Sequence, residues 1–217
     1  MIEPTLEVET GLWDARPLVI GMDEVGRGAL AGPVSVGAFA LSRCDEVPAG
    51  LRDSKVMTAK ARERTAPLVR EWGIAAVGHA SAAEIDAVGI MAALAIAGRR
   101  ALEALHVAGV DVVGSAVLLD GSHDWLSSRL RRPLAITTRP KADRDCGSVA
   151  GAACVAKVER DALMVAHDED HPGYGWASNK GYAAAVHLEG IATLGPTRLH
   201  RRTWLKSDGA VRASAAA

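Results

Sequence analysis

The chain has 217 residues, about one domain's worth, and 49% of them are apolar, enough for a sizeable core. Aromatics make up 4%, so that core falls to Ala, Val, Leu and Ile, and the composition excludes disordered and fibrous classes. The net charge of −1 is uneven: residues 1–128 carry eleven Lys and Arg against seventeen Asp and Glu, residues 129–217 fourteen against nine. That asymmetry is compatible with an acidic site beside a basic cradle, and also with ordinary solvated surface.

In chain order, Met1 to Thr10 is acidic and lacks the basic and apolar regions of a signal peptide. Leu18 to Met22 reads as a buried strand ending at Asp23. Gly26, Gly28, Gly32 and Pro33 form a turn-rich loop, and Pro33 to Leu41 reads as the second strand of a hairpin. Thr58 to Trp72 reads as a helix capped by Thr58, and Gly73 to His79 as a strand. Ser81 to Glu84 fits a capping box opening a long helix to about Leu105. The apolar stretch Gly89 to Ala97 is too short to span a bilayer, and no membrane segment is predicted. Ala116 to Leu119 and Leu134 to Thr138 read as strands. Ser148 to about His167 and Gly181 to Glu189 read as helices. Cys44, Cys146 and Cys154 form no Cys-x-x-Cys pair, which predicts free thiols, a reducing cytoplasm and no structural zinc. The order of elements predicts an α/β fold whose mixed sheet starts antiparallel and continues parallel.

Three predicted strands end at or near acids: Asp23-Glu24, Asp120 and Asp143. Functional groups of α/β sheets gather beyond strand ends. Carboxylates brought together there repel unless protonated or neutralised by cations, and oxygen-only ligands suit Mg²⁺ or Mn²⁺. Two such ions can activate water and stabilise the leaving oxygen in phosphodiester hydrolysis. Neighbouring strand residues point to opposite faces, so Asp23 and Glu24 share a site only where the strand ends or bulges. Taken alone, Asp143 also reads as a helix cap or surface charge. The glycine loop spaces as Gly-x-Gly-x-x-x-Gly and precedes a strand, so it fails the dinucleotide-binding pattern.

The segment Gly21 to Val34, reading GMDEVGRGALAGPV, resembles the signature of the prokaryotic ribonuclease HII family. Asp53-Ser54-Lys55, Leu119-Asp120-Gly121, Lys141-Ala142-Asp143, Ala156 to Asp161, Asn179 to Tyr182 with His187, Gly195-Pro196 and His200 to Arg202 resemble its further blocks, all in order. The resemblance runs from about Val19 to Trp204. It implies a ribonuclease H-like core over about 18–170 and a small helical substrate-contacting segment over about 171–206; the tail over 207–217 is expected to be flexible from its terminal position. It further implies Asp23, Glu24, Asp120 and Asp143 as catalytic, metal-binding carboxylates for two ions of Mn²⁺ or Mg²⁺. The implied partner is nucleic acid: an RNA·DNA hybrid, or duplex DNA with an embedded ribonucleotide, cut on the ribonucleotide's 5′ side; nothing in the sequence demands more than a monomer.

By the same resemblance, Gly26, Arg27 and Gly28 read the ribose 2′-hydroxyl and Tyr182 packs on the next deoxyribose. Without it, the loop reads as an ordinary hairpin turn and Tyr182 as a core tyrosine. Lys55, Lys157, Lys180, Arg201 and Arg202 are candidate phosphate contacts. Asp161 is a candidate partner of Lys157 and Arg160, and His187 and His200 read as structural histidines. Two positions depart from the family pattern: Ala29 stands where proline is usual, and Ala153 where a serine hydroxyl is usual.

Overall fold

Strand β1 (Leu18–Val25) is the centre of the sheet in this computed structural model, which describes residues 3–205. It pairs antiparallel with β2 (Val34–Ser42), and β2 pairs antiparallel with β3 (Ile74–Ala80). On its other side β1 runs parallel to β4 (Ala116–Asp120), which runs parallel to β5 (Ala135–Arg139). The order β3-β2-β1-β4-β5 is the mixed sheet expected from the sequence.

Helices cover both faces, as the continuous burial of β2 from Val34 to Leu41 requires. On one face Ile20, Met22, Val36 and Ala38 pack with Leu94, Ala97 and Ala101 of α4 (Ile90–Val107). On the other, Val19, Phe39 and Leu118 pack with Val149, Ala150 and Ala152 of α6 (Gly147–Asp170). The small residues of α6 bring its backbone against the sheet: a Cβ at Gly37 would strike the Ala152 carbonyl. Close approach of this kind is what an alanine-rich core permits where large side chains are scarce.

Local signals set most boundaries. Thr58 Oγ1 accepts the Ala61 N–H at 3.2 Å and starts α2 (Ala59–Trp72). Ser81 and Glu84 form the reciprocal capping box of α3 (Ala82–Val88). The single helix expected from Ser81 to Leu105 is two: Gly89, at φ 79°, separates α3 from α4. The helix expected over 181–189 is α8 (Ala185–Leu194), because Lys180 (φ 53°) and Gly181 (φ 85°) hold the preceding turn in left-handed backbone.

An unforeseen helix, α1 (Glu7–Trp13), carries Glu9, whose buried carboxylate accepts the Ser148 N–H at 2.8 Å and hydroxyl at 2.6 Å. An acid there complements the positive end of α6. Short helices α5 (Ala142–Asp145) and α7 (Trp176–Asn179) complete the set. Among the described residues no helix is long and apolar enough to cross a membrane. The tail expected over 207–217 lies outside the described residues.

Candidate active site

Pairing of β1 with β4 stops at Met22↔Leu119, whereas pairing with β2 continues to Val25↔Ser35. The strand therefore neither ends nor bulges at Asp23-Glu24, contrary to the requirement read from the sequence. Beyond Met22 the strand has no β4 neighbour, so the end of β1 that carries both acids is open along one edge. Asp23, Glu24 and Asp120 all border a cleft of about 370 Å³ there. The same cleft is bordered by Gly26, Arg27, Gly28, Lys55, Lys157 and Tyr182.

Asp120 accepts the backbone N–H of Ala142 at 2.7 Å and of Asp143 at 3.3 Å. These bonds fasten the end of β4 to α5 and deliver Asp143, whose carboxylate is buried and ion-paired with the Lys55 ammonium. Lys55 sits on the turn before α2. That turn is held by Arg62, which donates to the Ser54 carbonyl at 2.8 Å and the Met57 carbonyl at 2.6 Å. Nothing in the sequence distinguished Arg62 from the other charges of an amphipathic helix.

The electrostatics are those of crowded acids. Burial holds the Asp23 carboxyl well above its ordinary range, and the charges of Glu24, Asp120 and Asp143 add to it. Burial also raises Glu24, against the opposing pull of Arg27 at 3.7 Å. Asp120 is raised by burial and by Asp143, with its two backbone donors opposing. Partial burial pulls the Lys55 ammonium down, but its bond to Asp143 and the charges of Asp23 and Asp143 outweigh this, so the net shift is upward.

Among the described residues no three acid, histidine or cysteine side chains form a ready-made metal cage. Lys55 and Arg27 are the cations beside the carboxylates. The donor set itself is all oxygen and fits a hard divalent ion. Lys55→Met should lower the melting temperature in chelator and enlarge the rise produced by Mg²⁺ or Mn²⁺, because it removes the acids' own counter-ion. Thermal melts with and without metal check this, and an unchanged metal response would contradict the account.

The family model described as Ribonuclease HII matches residues 20–207. The chain belongs to the ribonuclease HII family. It is 44% identical over 208 residues to ribonuclease HII of Streptomyces avermitilis, covering 95% of this chain and 83% of that protein. Its fold is similar to the structure of the PCNA:RNase HII complex from Archaeoglobus fulgidus, at 27% identity and a TM-score of 0.69, covering 87% and 96% of the two chains. It is also similar to Bst-RNase HIII in complex with Mn²⁺, at 22% identity and a TM-score of 0.72, covering 95% and 72%. The enzyme class is ribonuclease H.

The remaining positions named from the ribonuclease HII resemblance separate in space. Lys157 donates to Asp161 at 2.7 Å and lies 5.9 Å from the Tyr182 ring. Arg160, expected to share Asp161, instead donates to the carbonyls of Pro33, Lys180 and Ala31. Lys180 turns its ammonium to the Ala177 carbonyl and borders a neighbouring cleft, not the one with the carboxylates. Arg201 is fully buried with its guanidinium on the carbonyls of Gly26, Arg27 and Gly32, so it does not reach solvent to meet a phosphate. Arg202 is exposed. Ala153 lies on the floor of the carboxylate cleft.

His187 and His200 are structural, as read from the sequence. Their bonds assign the tautomers. His187 Nδ1–H donates to the Tyr182 carbonyl at 2.9 Å, leaving Nε2 to accept the Trp176 indole N–H at 2.9 Å. His200 Nδ1 accepts the Thr197 N–H at 2.9 Å, so its Nε2–H faces His187 Nε2 at 3.1 Å. Burial lowers His187, and burial, followed by the repulsion that a protonated His187 would exert, presses His200 down to about 4. A depressed folded pKa means the unfolded chain takes the proton first. This part of the stability is complete above the ordinary value of 6.5 and is lost as pH falls towards about 4. His200→Gln should make the melting temperature less sensitive to acidification between pH 7 and pH 5 than that of the unsubstituted protein, which thermal melts across that window check.

Proposed function

We propose that this ribonuclease H cuts on the 5′ side of a ribonucleotide, in hybrid RNA strands and at single ribonucleotides in duplex DNA. The products are 5′-phosphate and 3′-hydroxyl ends, and the reaction starts ribonucleotide removal. The observation that carries this reading is one shared cleft, in which the acids of β1 and β4 meet the Gly26-Arg27-Gly28 loop and Tyr182. Phosphodiester chemistry and ribose recognition are thereby offered to the same few nucleotides.

Asp23, Glu24, Asp120 and Asp143 would hold Mg²⁺ or Mn²⁺. Two such ions would supply activation of the attacking water and stabilisation of the leaving oxygen. The Mn²⁺ in the similar Bst-RNase HIII structure and the oxygen-only donor set support that choice. The protein's own share is placement. The Gly26-Arg27-Gly28 backbone approaches the ribose 2′-hydroxyl, which is both donor and acceptor. The Tyr182 ring packs on the following deoxyribose, where a 2′-hydroxyl would collide. Lys55 and Lys157 border the cleft and suit backbone phosphates. Lys180 joins them only by leaving the Ala177 carbonyl.

Residues 3–205 are read as one unit, with 171–205 supplying Tyr182. The three free cysteines fit a reducing cytoplasm, and a monomer suffices for the site.

The test is turnover with Mg²⁺ or Mn²⁺ on two substrates, a long hybrid and a duplex with one ribonucleotide, with end mapping. Cleavage 5′ to the lone ribonucleotide is expected. A chain that cuts the hybrid and spares the lone ribonucleotide would sink the finer reading.

A further inference from the structure

Two guanidinium groups, of Arg160 and Arg201, are 0% exposed. Neither is paired with a carboxylate among the described residues; six backbone carbonyls receive them, three each. Arg201 donates to Arg27 and Gly26, both at 2.6 Å, and to Gly32 at 3.2 and 3.3 Å. Arg160 donates to Pro33 at 2.9 Å, Lys180 at 3.0 Å and Ala31 at 3.2 Å. A buried charge without a counter-ion is costly, so its retention points to a task that a neutral side chain does not perform.

The peptide plane identifies that task. In a trans peptide the carbonyl of one residue and the N–H of the next point in opposite directions, and there are no cis bonds among the described residues. Arg201 draws the carbonyls of Gly26 and Arg27 inward. The N–H groups of Arg27 and Gly28 therefore point away from it, and residues 26–28 border the cleft. Arg160 acts one step further along the same loop. It bridges Ala31 and Pro33 to Lys180, and its guanidinium lies 5.6 Å from the Tyr182 ring. Backbone bonds continue the connection: Leu30 and Ala31 donate to Gly181, Gly32 to Leu199, and Arg201 to Leu30. No side chain fits between these parts, since a Cβ at Gly26 would strike Arg160 and one at Gly181 the Ala31 carbonyl.

We infer that Arg160 and Arg201 are positioning residues that fasten the 26–33 loop and the 180–182 turn into a single rigid reader, with two backbone N–H donors aimed at the substrate. This rests on the proposed roles of the Gly26-Arg27-Gly28 loop and Tyr182. It assigns Arg201 a role opposite to the phosphate contact expected from the sequence, since it works from behind the loop. Lysine cannot replace it, because one ammonium does not span three carbonyls in the fork geometry of a guanidinium.

The experiment compares Arg201→Lys and Arg160→Lys with the unsubstituted enzyme on the single-ribonucleotide duplex. Catalytic rate, KM, cut position at nucleotide resolution and melting temperature are all measured. A displacement of about 1 Å at the reader predicts kcat lower by about 10²-fold with KM little changed. The cuts should also scatter onto neighbouring phosphates, an effect that lower stability alone does not produce. Methylguanidinium added to Arg201→Ala should restore part of the rate and the cut position.

Folded lysine variants with unchanged kcat and cut position overturn the inference. If the variants do not fold, hydrogen exchange on the unsubstituted enzyme decides. The amides of Leu30, Ala31, Gly32 and Arg201 should open together, and opening constants separated by more than about tenfold would overturn it. Tyr182→Ala tests the underlying reading separately. If it cuts normally at the lone ribonucleotide, the tyrosine role fails, whereas impairment there beside normal Arg201→Lys removes the positioning inference alone.

Discussion

Asp23→Asn should melt higher than the unsubstituted protein in chelator at neutral pH and cleave at least about 10²-fold more slowly. Both effects follow from one carboxylate placed where its charge is unwelcome to the fold. Burial and three neighbouring acids raise its folded pKa above the ordinary 3.8. The folded state therefore holds the proton more tightly than the unfolded one. The contribution to stability is complete below the unfolded value and is lost as pH rises through the folded one. At neutral pH the acid is therefore a net cost to the fold, and asparagine removes that cost while keeping the shape.

Divalent metal should reverse the order. An ion that binds only the folded state raises its melting temperature by mass action, and the variant, lacking one oxygen ligand's charge, should gain less. Melts in chelator and in Mn²⁺, together with the rate on an RNA·DNA hybrid, give the comparison. A variant that melts lower in chelator would contradict the electrostatic account, and one that retains activity would remove Asp23 from the site.

The parts of this molecule legible in the sequence are those governed by neighbours along the chain. Thr58 and the Ser81–Glu84 box announce helix starts because their capping bonds span three residues. The apolar runs of β1, β2 and β4 announce buried strands because both faces of the sheet are covered. The acids were legible as strand ends, and the ordered resemblance chose among them.

What was not legible depends on partners distant in sequence. Glu9 caps a helix that begins 138 residues later, at Gly147, and Arg201 bonds residues 26, 27 and 32. No local pattern separates such an arginine from a surface cation, which is why the sequence alone offers Arg201 as a phosphate contact. The break at Gly89 is hidden in the sequence for a related reason. A lone glycine in an apolar run is compatible with a continuing helix, and tertiary packing decides whether its left-handed option is used.

Gly28→Ala should leave the fold intact and lower cleavage at a lone ribonucleotide by about 10²-fold. A Cβ built at Gly28 meets nothing within 4 Å, and its backbone does not lie in the left-handed region that favours glycine. The protein alone therefore tolerates alanine there, and the melting temperature should stay within about one degree, as for other surface substitutions away from special features. Gly26→Ala is the contrast. Its φ of +80° disfavours any side chain, and the new methyl would strike Arg160, so stability and activity should fall together. The difference between the two positions separates a glycine needed by the fold from one needed by a ligand. Only close approach of a substrate backbone or sugar gives the methyl at Gly28 something to collide with. Steady-state kinetics on hybrid and single-ribonucleotide duplexes, alongside a thermal melt, measure both effects. Full activity in Gly28→Ala would mean that the substrate does not come close to this loop, and the ribose-reading role of Gly26-Arg27-Gly28 would have to be given up.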